Sequence, residues 1–218
     1  MSARCLREPD ARALSACIAG GGIALIPTDT VYGLACDPES EEAVRRLYAL
    51  KGRKPDKPAA VMFFALEHAL AHLGALPERV EKAVAALLPG PVTLLLENPS
   101  SRFPLACDPA RRASTAVLGV RVPRWRPEHA SLRSVSLPVL QSSANLSGGA
   151  DPCELDAVPA SMRSSADLVL DGGELPGVAS TVLDLTSLQS SGRWRLLRDG
   201  ALSAREAELA LAHVGERC

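Results

Sequence analysis

The chain has 218 residues, 47% hydrophobic and 22% charged, which suits one large domain with a substantial core. A net charge of −1 and an aromatic content of 3% argue against a surface that grips nucleic acid by bulk electrostatics or by stacking bases on aromatic rings. No apolar run approaches the roughly 18 residues of a membrane span, and no secretion signal opens the chain. A cytoplasmic protein is expected, its six cysteines (5, 17, 36, 107, 153 and 218) mostly buried thiols without a C-x-x-C pair.

In chain order, residues 10–19 read as a helix with Asp10 as N-cap, ended by Gly20-Gly21-Gly22. A buried strand over 23–27 runs into Thr28-Asp29-Thr30. The spacing of Val44, Leu47 and Tyr48 predicts a helix from Glu41 to Leu50. Three of the four lysines follow within Lys51-Gly-Arg-Lys-Pro-Asp-Lys57, a predicted loop before a strand over 59–64. Helices near 66–73 and 77–88 lead to the breaker Pro89-Gly90-Pro91. Strands are predicted at 92–97, 117–122, 138–142, 167–170, 180–185 and 193–198, with a helix over 203–213. Interleaved strands and helices without repeats or a linker predict a single α/β domain over 1–218.

Several segments carry chemistry. The lysine run places four cations around a Gly and a Pro, which suits a polyanion such as a triphosphate; a solvated charge run is the plainer alternative. Pro27-Thr-Asp-Thr-Val-Tyr-Gly-Leu34 sets two hydroxyls and a carboxylate at a strand end, where open α/β sheets bind ligands; the alternative is a Thr/Asp turn. Gly119-Val-Arg-Val-Pro123 puts Arg121 among core-facing valines, so it needs an anionic partner, either a ligand or an internal carboxylate. Leu140-Gln-Ser-Ser-Ala-Asn-Leu-Ser-Gly148 offers Ser143 and Asn145 for phosphate or ribose oxygens, or is an ordinary polar loop. Ala179-Ser-Thr-Val182 and Leu197-Arg-Asp-Gly200 are weaker signals. His68 and His72 lack an H-E-x-x-H frame, and neither a Walker-type sequence nor a G-x-S-x-G elbow is present. Charge is uneven: between Arg102 and Arg133 stand seven Arg and two acids, which fits a local anion site.

Taken together, these segments resemble the YrdC-type threonylcarbamoyl-AMP synthase family in its single-domain form. The likeness rests on Pro27–Leu34, Lys51-Gly-Arg53 with Pro58, Pro89-Gly-Pro-Val-Thr93, Gly119–Pro123, Ser142–Gly148, Ser180-Thr-Val182 and Leu197–Gly200, spanning about 10–202. It implies a twisted mixed sheet with flanking helices around an open basic cavity. It also implies a nucleotidyltransferase that condenses L-threonine, bicarbonate and ATP, with Mg²⁺, to threonylcarbamoyl-AMP and pyrophosphate. A downstream tRNA threonylcarbamoyltransferase complex would then take the product, with at most a weak contact between this chain and tRNA.

By the same resemblance, Lys51 and Arg53 neutralise the triphosphate as catalytic groups, and Ser143, Asn145 and Arg198 help hold ATP. Thr28, Thr30, Arg121 and Ser180 form the threonine and carbamate pocket. Asp29 stands where the family often has Glu, Ala59-Ala60 follow Pro58 where a Leu is usual, and Ser142 replaces a common Thr. The chain ends soon after Gly200, leaving no room for the additional C-terminal domain of some relatives. Two alternatives share the fold: an enzyme that adenylates carbamoyl groups, and a module that binds RNA without catalysis.

Overall fold

A computed structural model describes residues 4–52, 59–98, 100–107 and 116–218. Arg53 and the lysines at 54 and 57 lie outside the described residues. The described strands form one ten-stranded mixed sheet. They are β1 (Ala24–Ile26), β2 (Gly33–Cys36), β3 (Ala60–Met62), β4 (Val92–Glu97), β5 (Val117–Arg121), β6 (Val139–Ser143), β7 (Leu168–Val169), β8 (Thr181–Asp184), β9 (Arg193–Arg198) and β10 (Glu216–Arg217). Their order across the sheet is β10-β9-β8-β4-β5-β3-β6-β2-β1-β7. The pairs β3·β5, β4·β8, β1·β7 and β9·β10 are parallel; the other neighbours run antiparallel.

Strand alternation divides the interior into two layers. Leu25, Leu34, Val61, Leu94, Val120, Leu140 and Leu183 point to one face and join the larger core. That face is covered by α2 (Glu41–Lys51), α3 (Leu66–Leu73), α4 (Glu78–Leu87), α5 (Ala160–Ser165), α6 (Leu188–Ser191) and α7 (Ala204–Leu211). Ala24, Ile26, Ala35, Met62 and Val139 point to the opposite face, packed under α1 (Glu8–Ala19) through Ala11, Leu14 and Ile18. A 3₁₀ segment over Pro127–Ser134 adds Leu132 to that cover. Beyond β3, toward β5, β4 and β8, this second face holds a cavity.

Most elements fall where the sequence predicts them, and the departures have local causes. α1 starts at Glu8, so Asp10 is not its N-cap; it is the third helical residue and accepts a hydrogen bond from the Arg7 amide at 2.7 Å. Pro9, suited to a first helical turn, draws the start forward. β2 was not anticipated, because Gly33-Leu-Ala-Cys36 is buried on both faces and shows no alternation. Lys51 is not a loop residue but the last residue of α2, which ends at Gly52 in the left-handed region. The thiols are less buried than expected: Cys36 and Cys107 are buried, Cys17 and Cys153 half-buried, and Cys5 and Cys218 exposed.

Candidate active site

A cavity of about 570 Å³ opens over the second face of the sheet. Its floor is a row of cross-strand neighbours: Gln141 pairs with Ala60, Gly119 with Leu95, Leu95 with Asp184, and Asp184 with Arg195. Gly119 joins the two halves of that row, since a Cβ built on it would lie 3.3 Å from the Ala60 Cβ and 3.5 Å from Leu95. The floor is hollow in the middle because its central residues have almost no side chain. Val31, Thr93, Ser142, Ser143, Ser180 and Arg198 help complete the walls.

Arg121 lies on this floor at the end of β5, 4% exposed. Its Nη2 donates to Asp29 Oδ1 at 2.7 Å, to Thr30 Oγ1 at 2.5 Å and to Thr28 Oγ1 at 3.2 Å. Nη1 reaches Gln141 Oε1 at 3.4 Å, while the buried Nε has no hydrogen bond among the described residues. Of the two partners open to it in the sequence, the internal carboxylate is Asp29, whose second oxygen accepts the Arg124 amide at 2.9 Å. The Nη2 end of the guanidinium is thereby fixed, and Nη1 is the less engaged of the two terminal nitrogens.

The turn that holds Arg121 is built by its own sequence. Thr28 Oγ1 donates to the Val31 carbonyl at 2.7 Å and accepts the Thr30 and Val31 amides, both at 3.2 Å. Thr28 and Thr30 are fully buried behind Arg121 and are not among the cavity-lining residues. Tyr32 anchors the far side of the turn: its hydroxyl donates to the Gly173 carbonyl and accepts the Gly172 amide, each at 2.9 Å. Burial pushes the Tyr32 phenol up to about 12, so it remains a donor. Gly33 gives Gln141 its place, because a Cβ there would fall 2.2 Å from Gln141 Nε2.

Lys51, Ser143 and Asn145 come together, but Lys51 does not line the cavity. Its buried ammonium donates to the Ser143 carbonyl, to the Asn145 carbonyl at 2.8 Å and to Asn145 Oδ1 at 3.2 Å. Ser143 Oγ donates to Asn145 Oδ1 at 2.6 Å, and Asn145 Nδ2 to the Gly149 carbonyl at 2.6 Å. Lys51 thus braces the loop after β6, and of these three residues only Ser143 faces the cavity. Across the cavity, Ser180 Oγ and Thr93 Oγ1 are 3.0 Å apart, and Arg198 donates to the Ser180 carbonyl through Nε and Nη2 at 3.0 and 2.6 Å.

The residue reading of the sequence passed over Gln141, Asp184, Thr186 and Arg195, all of which line the cavity. Asp184 carries the signal that singled out Arg121, a charge alternating with apolar residues inside a strand, in Thr181-Val-Leu-Asp184. Burial alone would raise the Asp184 pKa, but the Thr186 hydroxyl and amide, together with Arg195, hold it below the usual carboxylate range. Among the described residues no group of three or more His, Cys, Asp or Glu stands together as a metal cradle, and His68 and His72 do not form one.

The sequence matches the Sua5/YciO/YrdC family, described as "Telomere recombination", over residues 16–200. It is 31% identical over 198 residues to the threonylcarbamoyl-AMP synthase of Pyrococcus abyssi, covering 89% of this chain and 55% of that protein. With the Xanthomonas campestris pv. campestris threonylcarbamoyl-AMP synthase it shares 31% over 195 residues, 88% of this chain and 98% of the other. The crystal structure of P. abyssi Sua5 complexed with L-threonine superimposes with a TM-score of 0.79 at 29% identity, covering 96% of this chain and 59% of that one. The chain therefore spans little more than half of the Pyrococcus protein. A match over most of its length, carried by the same mixed sheet, makes the chain a member of the Sua5/YciO/YrdC family.

Proposed function

We propose that this chain is an L-threonylcarbamoyladenylate synthase. The observation that carries the reading is Arg121: a buried guanidinium on the floor of the cavity, held through Nη2 by Asp29, Thr28 and Thr30. A cation fixed there, with Nη1 engaged only by Gln141 at 3.4 Å among the described residues, suits a carboxylate. The relatives named above supply the class of reaction.

In the reaction, the threonine amine adds to CO₂ derived from bicarbonate, and a carbamate oxygen attacks the α-phosphorus of ATP. The bond from the α-phosphorus to the bridging oxygen breaks, and pyrophosphate leaves with the bond electrons. Arg121 orients the threonine or carbamate carboxylate, and Thr28 and Thr30 act through it rather than on the substrate. Ser143 and Arg198 lie on the walls that would receive the nucleotide, with Asn145 and Lys51 fixing the loop behind Ser143. Arg53 is assigned to the triphosphate by family resemblance. Among the described residues none group as a metal cradle, and Mg²⁺ would enter as the ATP complex, as substrate. Placement of reactants and neutralisation of charge carry the rate, without a covalent enzyme intermediate. The product would pass to a tRNA threonylcarbamoyltransferase complex, and any contact with tRNA would be weak.

The test is pyrophosphate release from MgATP by the purified chain, with and without L-threonine and bicarbonate, L-serine being the control. Release that needs both threonine and bicarbonate is the expected result. Release indifferent to threonine would favour an enzyme that adenylates carbamoyl groups. No release, with tRNA binding that falls steeply with salt, would favour a non-catalytic RNA module.

A further inference from the structure

The two ends of the cavity differ in chemistry. At one end are Arg121, Ser142 and Ser143. At the other are Arg195, Arg198 and Asp184, the only carboxylate among the described lining residues and 7% exposed. Between them the surface is largely apolar, with Leu95, Val117, Gly119, Val182 and Leu197. The proposed reaction joins the carbamate held at Arg121 to the α-phosphorus, so a nucleotide in this cavity places its triphosphate toward the Arg121 and Ser143 end, while Arg195 is already paired with Asp184 at 2.5 Å. Its nucleoside then lies over the apolar band with an edge at Asp184.

The hydrogen bonds already made by Asp184 limit what it can read. Oδ1 accepts the Thr186 amide at 3.0 Å and the Thr186 hydroxyl at 2.6 Å, which fills both of its lone pairs. Oδ2 accepts Arg195 Nη2 at 2.5 Å and keeps one lone pair. The carboxylate can therefore take one further neutral donor. Adenine presents such a donor in its 6-amino group. Guanine presents two adjacent N–H donors that suit a carboxylate with both oxygens open, and here one of them would be left buried without a partner.

We infer that Asp184, held in place by Thr186 and Arg195, determines nucleotide specificity: it accepts one hydrogen bond from the 6-amino group of adenine, and Thr186 excludes guanine by occupying Oδ1. This rests on the reading that the cavity takes a nucleotide. An unpartnered buried donor corresponds to roughly a 10- to 100-fold loss of affinity.

The test is calorimetric titration of the Mg²⁺ complexes of ATP, GTP, purine riboside triphosphate, 2′-deoxyATP and 3′-deoxyATP into the wild type, Asp184→Ala and the near-isosteric Thr186→Val. The wild type should prefer ATP to GTP by roughly 10- to 100-fold, and Thr186→Val should narrow that ratio at least to about a tenth of its value. In the wild type purine riboside triphosphate, which lacks the 6-amino group, should bind about tenfold more weakly than ATP. In Asp184→Ala that deficit should vanish, and a wild-type deficit confined to the deoxy analogues would overturn the inference. If ATP binds but neither variant alters these ratios, the inference on Asp184 falls while the proposed function stands. If the wild type binds none of these nucleotides, both fall.

Discussion

Arg121 and Lys51 are buried cations whose partners belong to the protein itself, and that fixes how their substitution should read. Breaking a buried ion pair by removing one member costs about 3–5 kcal/mol, because the other charge is left uncompensated. Arg121→Ala should lose about that much stability, since Asp29 would remain buried without it. The double variant Asp29→Ala/Arg121→Ala should regain most of the loss in urea denaturation, yet regain none of the threonine-dependent turnover. Recovery of turnover would remove Arg121 from the substrate site. For Lys51→Met, the carbonyls of Ser143 and Asn145 lose their donor, at about 1–3 kcal/mol. Because the loop that carries Ser143 loosens, the apparent KM for ATP should rise; an unchanged value would show that Lys51 serves the fold alone.

On the scale of strands, the cavity exists because two neighbouring floor positions have little or no side chain. In Gly119→Val the new Cβ would press on Ala60 at 3.3 Å and its methyl groups would fill the hollow. Nucleotide binding should fall at least tenfold by calorimetry, while the far-ultraviolet circular dichroism spectrum keeps its shape. β2 sets a second constraint. The Cβ of Gly33→Ala would meet the end of the flexible Gln141 side chain, which can swing aside, and the Ser142 carbonyl at 3.2 Å. Gln141 would then leave Arg121, so the expected outcome is a raised KM for threonine with a melting temperature within a few degrees of wild type. A large stability loss with unchanged KM would show that Gly33 serves packing only. These effects were hard to foresee from sequence, because a four-residue strand buried on both faces has no readable period, and Gly33 and Gln141 meet only once β2 and β6 pair.

For the whole molecule, the shifted titrating groups make stability fall toward acid. Burial lowers the His129 pKa, with its Nε2 3.0 Å from the Gly172 carbonyl. Below the ordinary histidine value of about 6.5 the unfolded chain takes up a proton that the folded chain resists, so stability declines from about pH 7 to pH 5. The carboxylates of Asp167, Asp171 and Asp184 are held below their usual range, the first chiefly by the Ile23 amide, the second by that of Gly173 and the third by Thr186 against its burial. Their contribution is present above about pH 4 and is lost as pH falls through the lowered values. Melting temperatures measured from pH 7.5 to 4.5 should therefore decrease, and His129→Gln should flatten the upper part of that slope. By itself the sequence determined what is local: the longer helices and strands, through periods of 3.6 and 2, and the suspicion that Arg121 needs an anion, because charge inside an apolar strand is costly wherever the strand lies. Only the tertiary structure decided that the anion in the protein is Asp29, that Thr28 and Thr30 stand behind Arg121, and that Lys51 turns onto the loop after β6. Asp184 joins Gly119, Ala60 and Gln141 in one floor through the register of β8, β4, β5, β3 and β6. Register between strands distant in sequence is set by which faces bury and which helices cover them, and a one-residue shift would turn each of these side chains to the opposite face.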